Sequence, residues 1–171
     1  MKLDRSPFAM RLEPLANHQH RIDEIAQLLH EEWGYLPPWS SQSLIAERLK
    51  TSSSGQPFPL TFIALSTDGR LLGTASVKLR ELANHVDKEH WLGEVFVPKE
   101  LRGQGIGFAL IRCCIEYTFN TGSDSLYLYT PDQQSLYRRF GWIDVEETHV
   151  NGETVTIMEL KRGALQMGGT P

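Results

Sequence analysis

The sequence predicts a mixed α/β domain with a mostly antiparallel seven-stranded sheet and about four helices. Three observations carry this. Strand-like and helix-like stretches alternate in the order β α α β β β α β α β β. Two Gly-containing turns, Asp68-Gly69 and Asn151-Gly152, each join two apolar runs and so mark antiparallel hairpins. One helix connects the strand ending at Val97 to the strand ending at Tyr129, a crossover that should be parallel and right-handed.

Taken in order, Phe8-Ala-Met-Arg-Leu12 alternates before Pro14 and reads as a first short strand. Ile22, Ile25, Leu28, Leu29 and Trp33 recur at helical spacing with Asp23, Glu24, Glu31 and Glu32 off that stripe, and Gly34 and Pro37-Pro38 stop the helix. Ser40 or Ser41 caps a second helix carrying Leu44, Ile45 and Leu49, and residues 51–57 form a loop. Residues 60–65 and 71–79 form the first hairpin, 80–90 a polar loop, and 91–97 the next strand, ended by Pro98. A helix over 105–119 and a strand over 125–129 follow. Pro131 opens a short helix at its tolerated first-turn position, with Asp132 as its cap, and the helix ends before Gly141. Residues 143–150 and 154–160 make the last hairpin. We expect a single domain over 1–162 and a frayed tail over 163–171.

Of the 171 residues, 40% are apolar and 22% charged, enough to bury a core and against intrinsic disorder. A net charge of −4 argues against a nucleic-acid binder, which needs a basic face. Cys113 and Cys114 are adjacent and cannot staple distant parts of the fold, so reduced thiols and a cytoplasmic setting are expected. No stretch approaches the ~18 apolar residues of a membrane span, and the first residues lack a signal-peptide core. His18, His20 and His30 lack the spacing and partners of a metal set, so no metal is expected.

The chemistry concentrates in Glu94-Val-Phe-Val-Pro-Lys-Glu-Leu-Arg-Gly-Gln-Gly-Ile-Gly107, which reads as a strand, a turn and a helix start. Gly103, Gly105 and Gly107 let the backbone approach a ligand and leave N–H groups pointing out of a helix N-terminus, where pyrophosphate is the natural guest. A glycine-rich tight turn with no ligand fits the glycines alone equally well. A dinucleotide-binding G-x-G-x-x-G fails: from Gly103 the third position is Phe108, and from Gly105 it is Leu110. A P-loop fails because the chain has no Gly-Lys pair.

Arg102-Gly-Gln-Gly-Ile-Gly107 resembles the Gln/Arg-x-x-Gly-x-Gly/Ala loop of the GNAT acetyltransferases. Val95-Phe-Val-Pro before it, Ala109-Leu-Ile in the helix and Ser135-Leu-Tyr-Arg-Arg-Phe-Gly-Trp142 downstream look like that family too, with Trp142 in place of the Phe of its Leu-Tyr-x-x-x-Gly-Phe signature. The likeness runs from about residue 8 to 160. Glu32-Trp-Gly, His90-Trp-Leu-Gly, Tyr127-Leu-Tyr-Thr-Pro-Asp132 and Tyr137-Arg-Arg-Phe-Gly-Trp142 are similar to a bacterial subgroup of uncertain substrate, distantly related to the acetyltransferase of the actin N-terminus.

The resemblance implies a GNAT fold splayed between its fourth and fifth strands, and transfer of acetyl from acetyl-CoA to a primary amine of a small molecule or peptide N-terminus. The backbone of Val95, Phe96 and Val97 would pair with the pantetheine arm. The amides of Gly103, Gln104, Gly105, Ile106 and Gly107 would hold the pyrophosphate with Arg102 beside it, and Thr130 stands where many members place an Asn against coenzyme A. Tyr137 aligns with the family's general acid, a phenol that ordinarily stays protonated at pH 7. The family's two positions for a base on the strand are Gly93 and Trp91 here, neither of which titrates. Glu94 is the neighbouring carboxylate, on the wrong face unless the strand is bulged; Glu31, Glu32 and His90 are further candidates. Trp33, Trp39 and Trp91 could wall the acceptor pocket, Trp33 being the one whose helical stripe favours the core. Transfer of another acyl group, or a non-catalytic CoA-binding module, are the rival readings. The protein is expected to be a monomer or homodimer.

Overall fold

The computed structural model of the chain describes residues 9–164. Its elements are β1 (Met10–Pro14), α1 (Ile22–Trp33), α2 (Gln42–Thr51), β2 (Leu60–Ser66), β3 (Leu71–Leu79), β4 (His90–Phe96), α3 (Ile106–Asn120), β5 (Ser125–Thr130), α4 (Gln134–Phe140), β6 (Ile143–Val150) and β7 (Glu153–Lys161), with 3-10 turns at Leu15–Arg21, Pro37–Trp39 and Lys99–Leu101. The strands form one seven-stranded sheet in the order β1-β2-β3-β4-β5-β7-β6. β1 with β2, β2 with β3, β5 with β7 and β6 with β7 are antiparallel. β4 is parallel to β5, with Trp91 opposite Tyr127. This is the mixed sheet and helix complement that the sequence predicts. Phe8 and residues 165–171 of the expected tail lie outside the described residues.

Two compact units divide the described residues: one runs to Lys78 and includes Leu92–Glu116, the other holds Leu79–Trp91 and the residues from Tyr117 onward. The first is built on α1, whose Ile22, Ile25, Ala26 and Leu29 face inward at helical spacing while Asp23 and Glu24 complement the positive end of the helix. They pack with Ile45, Ala46 and Leu49 of α2, Ile63, Leu65 and Leu71 of the hairpin, and Trp39 and Phe96. Ser41 caps α2 by accepting from the Leu44 amide. Leu44 itself is 60% exposed rather than part of the core stripe: as the third residue of the helix it falls on the turn that the cap holds outward. From the end of α2 across β2 to β3 a buried hydroxyl chain, Ser52–Thr61–Ser76 at 2.7 and 2.8 Å, satisfies polar atoms that burial would otherwise leave unpaired.

In the second unit Trp142 is fully buried and donates its indole N–H to the Leu126 carbonyl at 3.0 Å, with Tyr137 and Phe140 packed edge-on against it. An indole in this core needs such an acceptor where a Phe would not. α4 starts at Gln134, later than Pro131, and its start is held differently from the expectation. Thr130 Oγ1 accepts from the Gln133 amide, whereas Asp132 accepts from the Gln133 side chain. Pro131 and Asp132 thus belong to the bend before the helix. Gly141 ends α4 at φ 109°, where a Cβ would come within 3.2 Å of Leu160 Cδ1. Asn151 and Gly152 both have positive φ, 52° and 81°, as a two-residue hairpin of primed type requires.

Cys113 and Cys114 carry thiols without a disulfide. Burial pushes Cys113 up to about 11 and Cys114 well above the ordinary thiol value, so both are protonated and poor nucleophiles at neutral pH. No helix among the described residues is long and apolar enough to cross a membrane.

Gly152→Ala isolates the conformational term of the last hairpin, since a Cβ there meets nothing within 4 Å. Urea denaturation should show a loss of about 1–2 kcal/mol; an unchanged midpoint would mean that the left-handed backbone is not required.

Candidate active site

Where β4 leaves the sheet, the chain passes the 3-10 turn at Lys99–Leu101 and enters α3 through three glycines. Gly103 and Gly105 have φ of 79° and 85°, a region that only glycine adopts without strain, and a Cβ at either would point into open space. The carbonyl of Gly105 accepts the Ala109 amide at 3.0 Å and so begins the helical ladder. The first amides of α3 therefore have no acceptor inside the helix and lie at its positive end. Open space above a left-handed backbone at a helix N-terminus is a cradle that an anion can approach closely. Arg102 is occupied. Its Nε donates to the Val97 carbonyl at 2.8 Å, its Nη2 reaches Glu32 at 3.1 Å, and its guanidinium lies 6.0 Å from the Phe96 ring centre. It ties the turn back to the end of β4 and to the end of α1.

Upstream in β4, Glu94 adopts φ 51°. That left-handed angle in a strand interrupts the pleat, and the place of a Cβ on Gly93 and the carboxylate of Glu94 both come against the Lys78 side chain. Glu94 is consequently turned inward and is 8% exposed. Lys78 Nζ lies 2.7 Å from Glu94 Oε1, the Trp39 indole N–H donates to the same oxygen at 3.3 Å, and Arg48 Nη2 stands 3.8 Å from it. Lys78 also faces the Trp39 ring at 5.5 Å. Burial alone would push the Glu94 carboxyl up; the Lys78 ammonium and its hydrogen bond, then Arg48 and the Trp39 indole, outweigh it and hold the group below its ordinary value. It is an ionised carboxylate at neutral pH and a weak base.

Trp33 and Trp39 come together, 5.7 Å between ring centres, and Trp33 packs edge-on to Phe96. The His30 ring donates from Nδ1 to the Trp39 carbonyl at 2.8 Å and fixes that turn. Glu31 accepts from Gln27 on the outer face of α1. In the second unit Trp91 is buried beside Tyr127 and Tyr129 and donates to the Lys88 carbonyl at 2.8 Å. His90 opens β4 next to Ser123, and burial lowers its pKa, so it is neutral at pH 7. Tyr137 is half-buried in α4 against Trp142. Thr130 is buried with its hydroxyl committed to the turn before α4. Among the described residues no group of three or more His, Cys, Asp or Glu side chains could hold a metal ion.

The family described as Acetyltransferase (GNAT) family matches residues 22–142, which include the glycine turn and Tyr137. The chain belongs to the GNAT acetyltransferase family. No curated protein matches it. Among solved structures, mutant forms of the spermidine/spermine N-acetyltransferase SpeG of Vibrio cholerae are similar with a TM-score of 0.68 and 16% identity over 93% of this chain and 98% of that one. A GNAT-family acetyltransferase of Streptococcus pneumoniae gives 0.67 and 14%, over 90% and 99%. An uncharacterised protein of Bacillus halodurans gives 0.69 and 13%, over 92% and 86%. At these identities the likeness is one of fold. The chain is thus a GNAT-type acyltransferase, of a family whose donor is acetyl-CoA.

Lys78 and Arg48 were not singled out by the sequence. The one available signal was Lys78 itself, a charge at the end of the otherwise apolar and hydroxylic run Leu71–Val77.

The buried pair sets a pH dependence. Because the folded-state pKa of Glu94 is depressed, its contribution to stability is present above the ordinary value of 4.5 and is lost as pH falls through the lowered folded value. The stability gap between wild type and Glu94→Gln should be constant above about pH 5 and close below 4.5. At pH 7, Lys78→Met should cost about 3 kcal/mol in urea denaturation by stranding a buried carboxylate. A pH-independent gap, or a neutral Lys78→Met, would refute the pairing.

Proposed function

We propose that the protein, acting as one acetyltransferase domain over residues 1–162, moves an acetyl group from acetyl-CoA to a primary amine of a small molecule or peptide N-terminus. The observation that carries this is the open glycine cradle at the N-terminus of α3, directly after β4 and inside the region matched to the GNAT family. In this reading the amides of 103–107 hold the pyrophosphate, and the backbone of Val95, Phe96 and Val97 aligns the pantetheine arm as an added half-strand. The thioester then lies at the Glu94 end of β4.

The amine attacks as the neutral base. Its lone pair forms the new C–N bond at the thioester carbonyl, the tetrahedral adduct collapses with cleavage of the C–S bond, and the departing thiolate takes the phenolic proton of Tyr137, which is restored from solvent. The surplus proton of the nitrogen leaves to Glu94 or to water. The contacts from Lys78, Trp39 and Arg48 all fall on Glu94 Oε1, so a proton would land on Oε2 and pass on quickly, as a carboxylate held this acidic cannot keep it. This favours acceptors whose amine is neutral near pH 8, such as α-amines, over lysine-like amines near 10.4. A polyamine, the acceptor that gives the Vibrio cholerae neighbour its name, is the second reading that the fold likeness raises.

Acetyl-CoA should raise the melting temperature of the protein, and a thiol-release assay with an amine panel should report turnover. Tyr137→Phe should lower kcat by ~100-fold or more with little change in the KM for acetyl-CoA. Unchanged turnover in that variant would remove Tyr137 from the acid role, and no thermal shift with acetyl-CoA would contradict the donor.

A further inference from the structure

Two of the contacts to Glu94 are ionic. Two cations, Lys78 and Arg48, face one carboxylate, and they are not equally engaged. Lys78 is in direct contact at 2.7 Å, whereas Arg48 Nη2 stands back at 3.8 Å. That nitrogen is buried from solvent and has no hydrogen-bond partner among the described residues. A guanidinium edge withdrawn from water with a donor unfilled is a costly arrangement unless an acceptor arrives to fill it. The Arg48 side chain as a whole is 39% exposed, so the residue lies at the surface while this nitrogen is dry. Glu32 is held by Arg102, Glu31 by Gln27, and Glu47 by Lys50. Glu94 adjoins Val95, the first of the three residues assigned above to the pantetheine arm. With the pyrophosphate at 103–107 and the arm running back along β4, the thioester arrives at this cluster.

We propose that Arg48 is a specificity-determining residue that receives the carboxylate of the acceptor, and that the acceptor is therefore a small amine bearing a carboxylate, of the amino-acid type. This rests on the acetyl-transfer reading. Glu94 consumes the charge of Lys78 and keeps Arg48 in place, while the unfilled Nη2 supplies the contact for an incoming anion. The same arrangement disfavours a polyamine: a polycation would meet Lys78 and Arg48, and the Glu94 carboxylate between them is already paired. The bond-forming step is the one given above; Arg48 forms and breaks no bond and acts by orienting the amine through its carboxylate. Planar, bidentate recognition of a carboxylate is what a guanidinium does and an ammonium does not.

The experiment is an acceptor panel with acetyl-CoA: the amino acids, their α-amides, their decarboxylated amines, and spermidine. The carboxylate-bearing members should be preferred over their matched amides and decarboxylated amines by roughly 10- to 100-fold in kcat/KM, the usual weight of a hydrogen bond to a charged group. Arg48→Met should erase that preference while leaving the KM for acetyl-CoA unchanged, and Arg48→Lys should restore it only in part. Thermal denaturation of both variants checks that they are folded. Equal use of amides and acids, preference for spermidine, a preference that survives in Arg48→Met, or no transfer to any carboxylate-bearing amine would overturn the proposal. If acetyl-CoA still shifts the melting temperature in those cases, only the acceptor assignment falls; if that shift is absent too, the acetyltransferase reading falls with it.

Discussion

The contact on which the first unit turns is the buried pair of Lys78 and Glu94. A carboxylate withdrawn from water at the middle of a strand would be expelled or neutralised without an opposite charge at hydrogen-bond distance. Lys78, from the neighbouring strand, provides it, and the Trp39 indole and Arg48 complete the surroundings. Each partner comes from a different element: the end of β3, the turn after α1, and α2. The pair therefore fixes where the α1–α2 connection meets β4. It also compensates the left-handed backbone of Glu94, a conformation that costs a non-glycine residue of the order of 1–2 kcal/mol. Strain of this kind persists only where surrounding contacts over-determine it.

Much of the architecture was legible because local chemistry and tertiary need agree. The α1 stripe, the glycine stop at 141 and the Asn151-Gly152 turn each name one conformation, and each is found; of the two caps offered for α2, Ser40 and Ser41, it is Ser41 that caps. The failures are equally physical. Leu44 carries an apolar side chain in the first turn of a capped helix and points to solvent, since its position on the helix and not its type decides burial. Pro131 could open a helix, but the Thr130 hydroxyl takes the Gln133 amide and shifts the start three residues later. The Thr130 contact cannot be read from spacing alone.

The site was legible to a different degree in its two halves. Glycines with positive φ leave a direct mark in sequence, and Gly103 and Gly105 adopt that backbone. The acceptor side has no such mark. Strict alternation sends Glu94 to the wrong face, and only the break in the pleat turns it inward. The cations that meet it are 16 residues before and 46 residues before it in the chain, a pairing that no local pattern reports. Arg102 illustrates the converse: matched to the family loop by sequence, it is held by Val97 and Glu32 and works as a tie between the turn, β4 and α1.

Donor binding at the glycine turn is the claim on which every later step depends, because it sets the direction of the pantetheine arm and hence which residues meet the thioester. Amide hydrogen exchange with and without coenzyme A reads it most directly, since the first amides of α3 have no acceptor within the helix. Binding there predicts slowed exchange at Gly103–Gly107 and along Val95–Val97. Coenzyme A that binds by calorimetry yet leaves both segments exchanging at their free rates would contradict it.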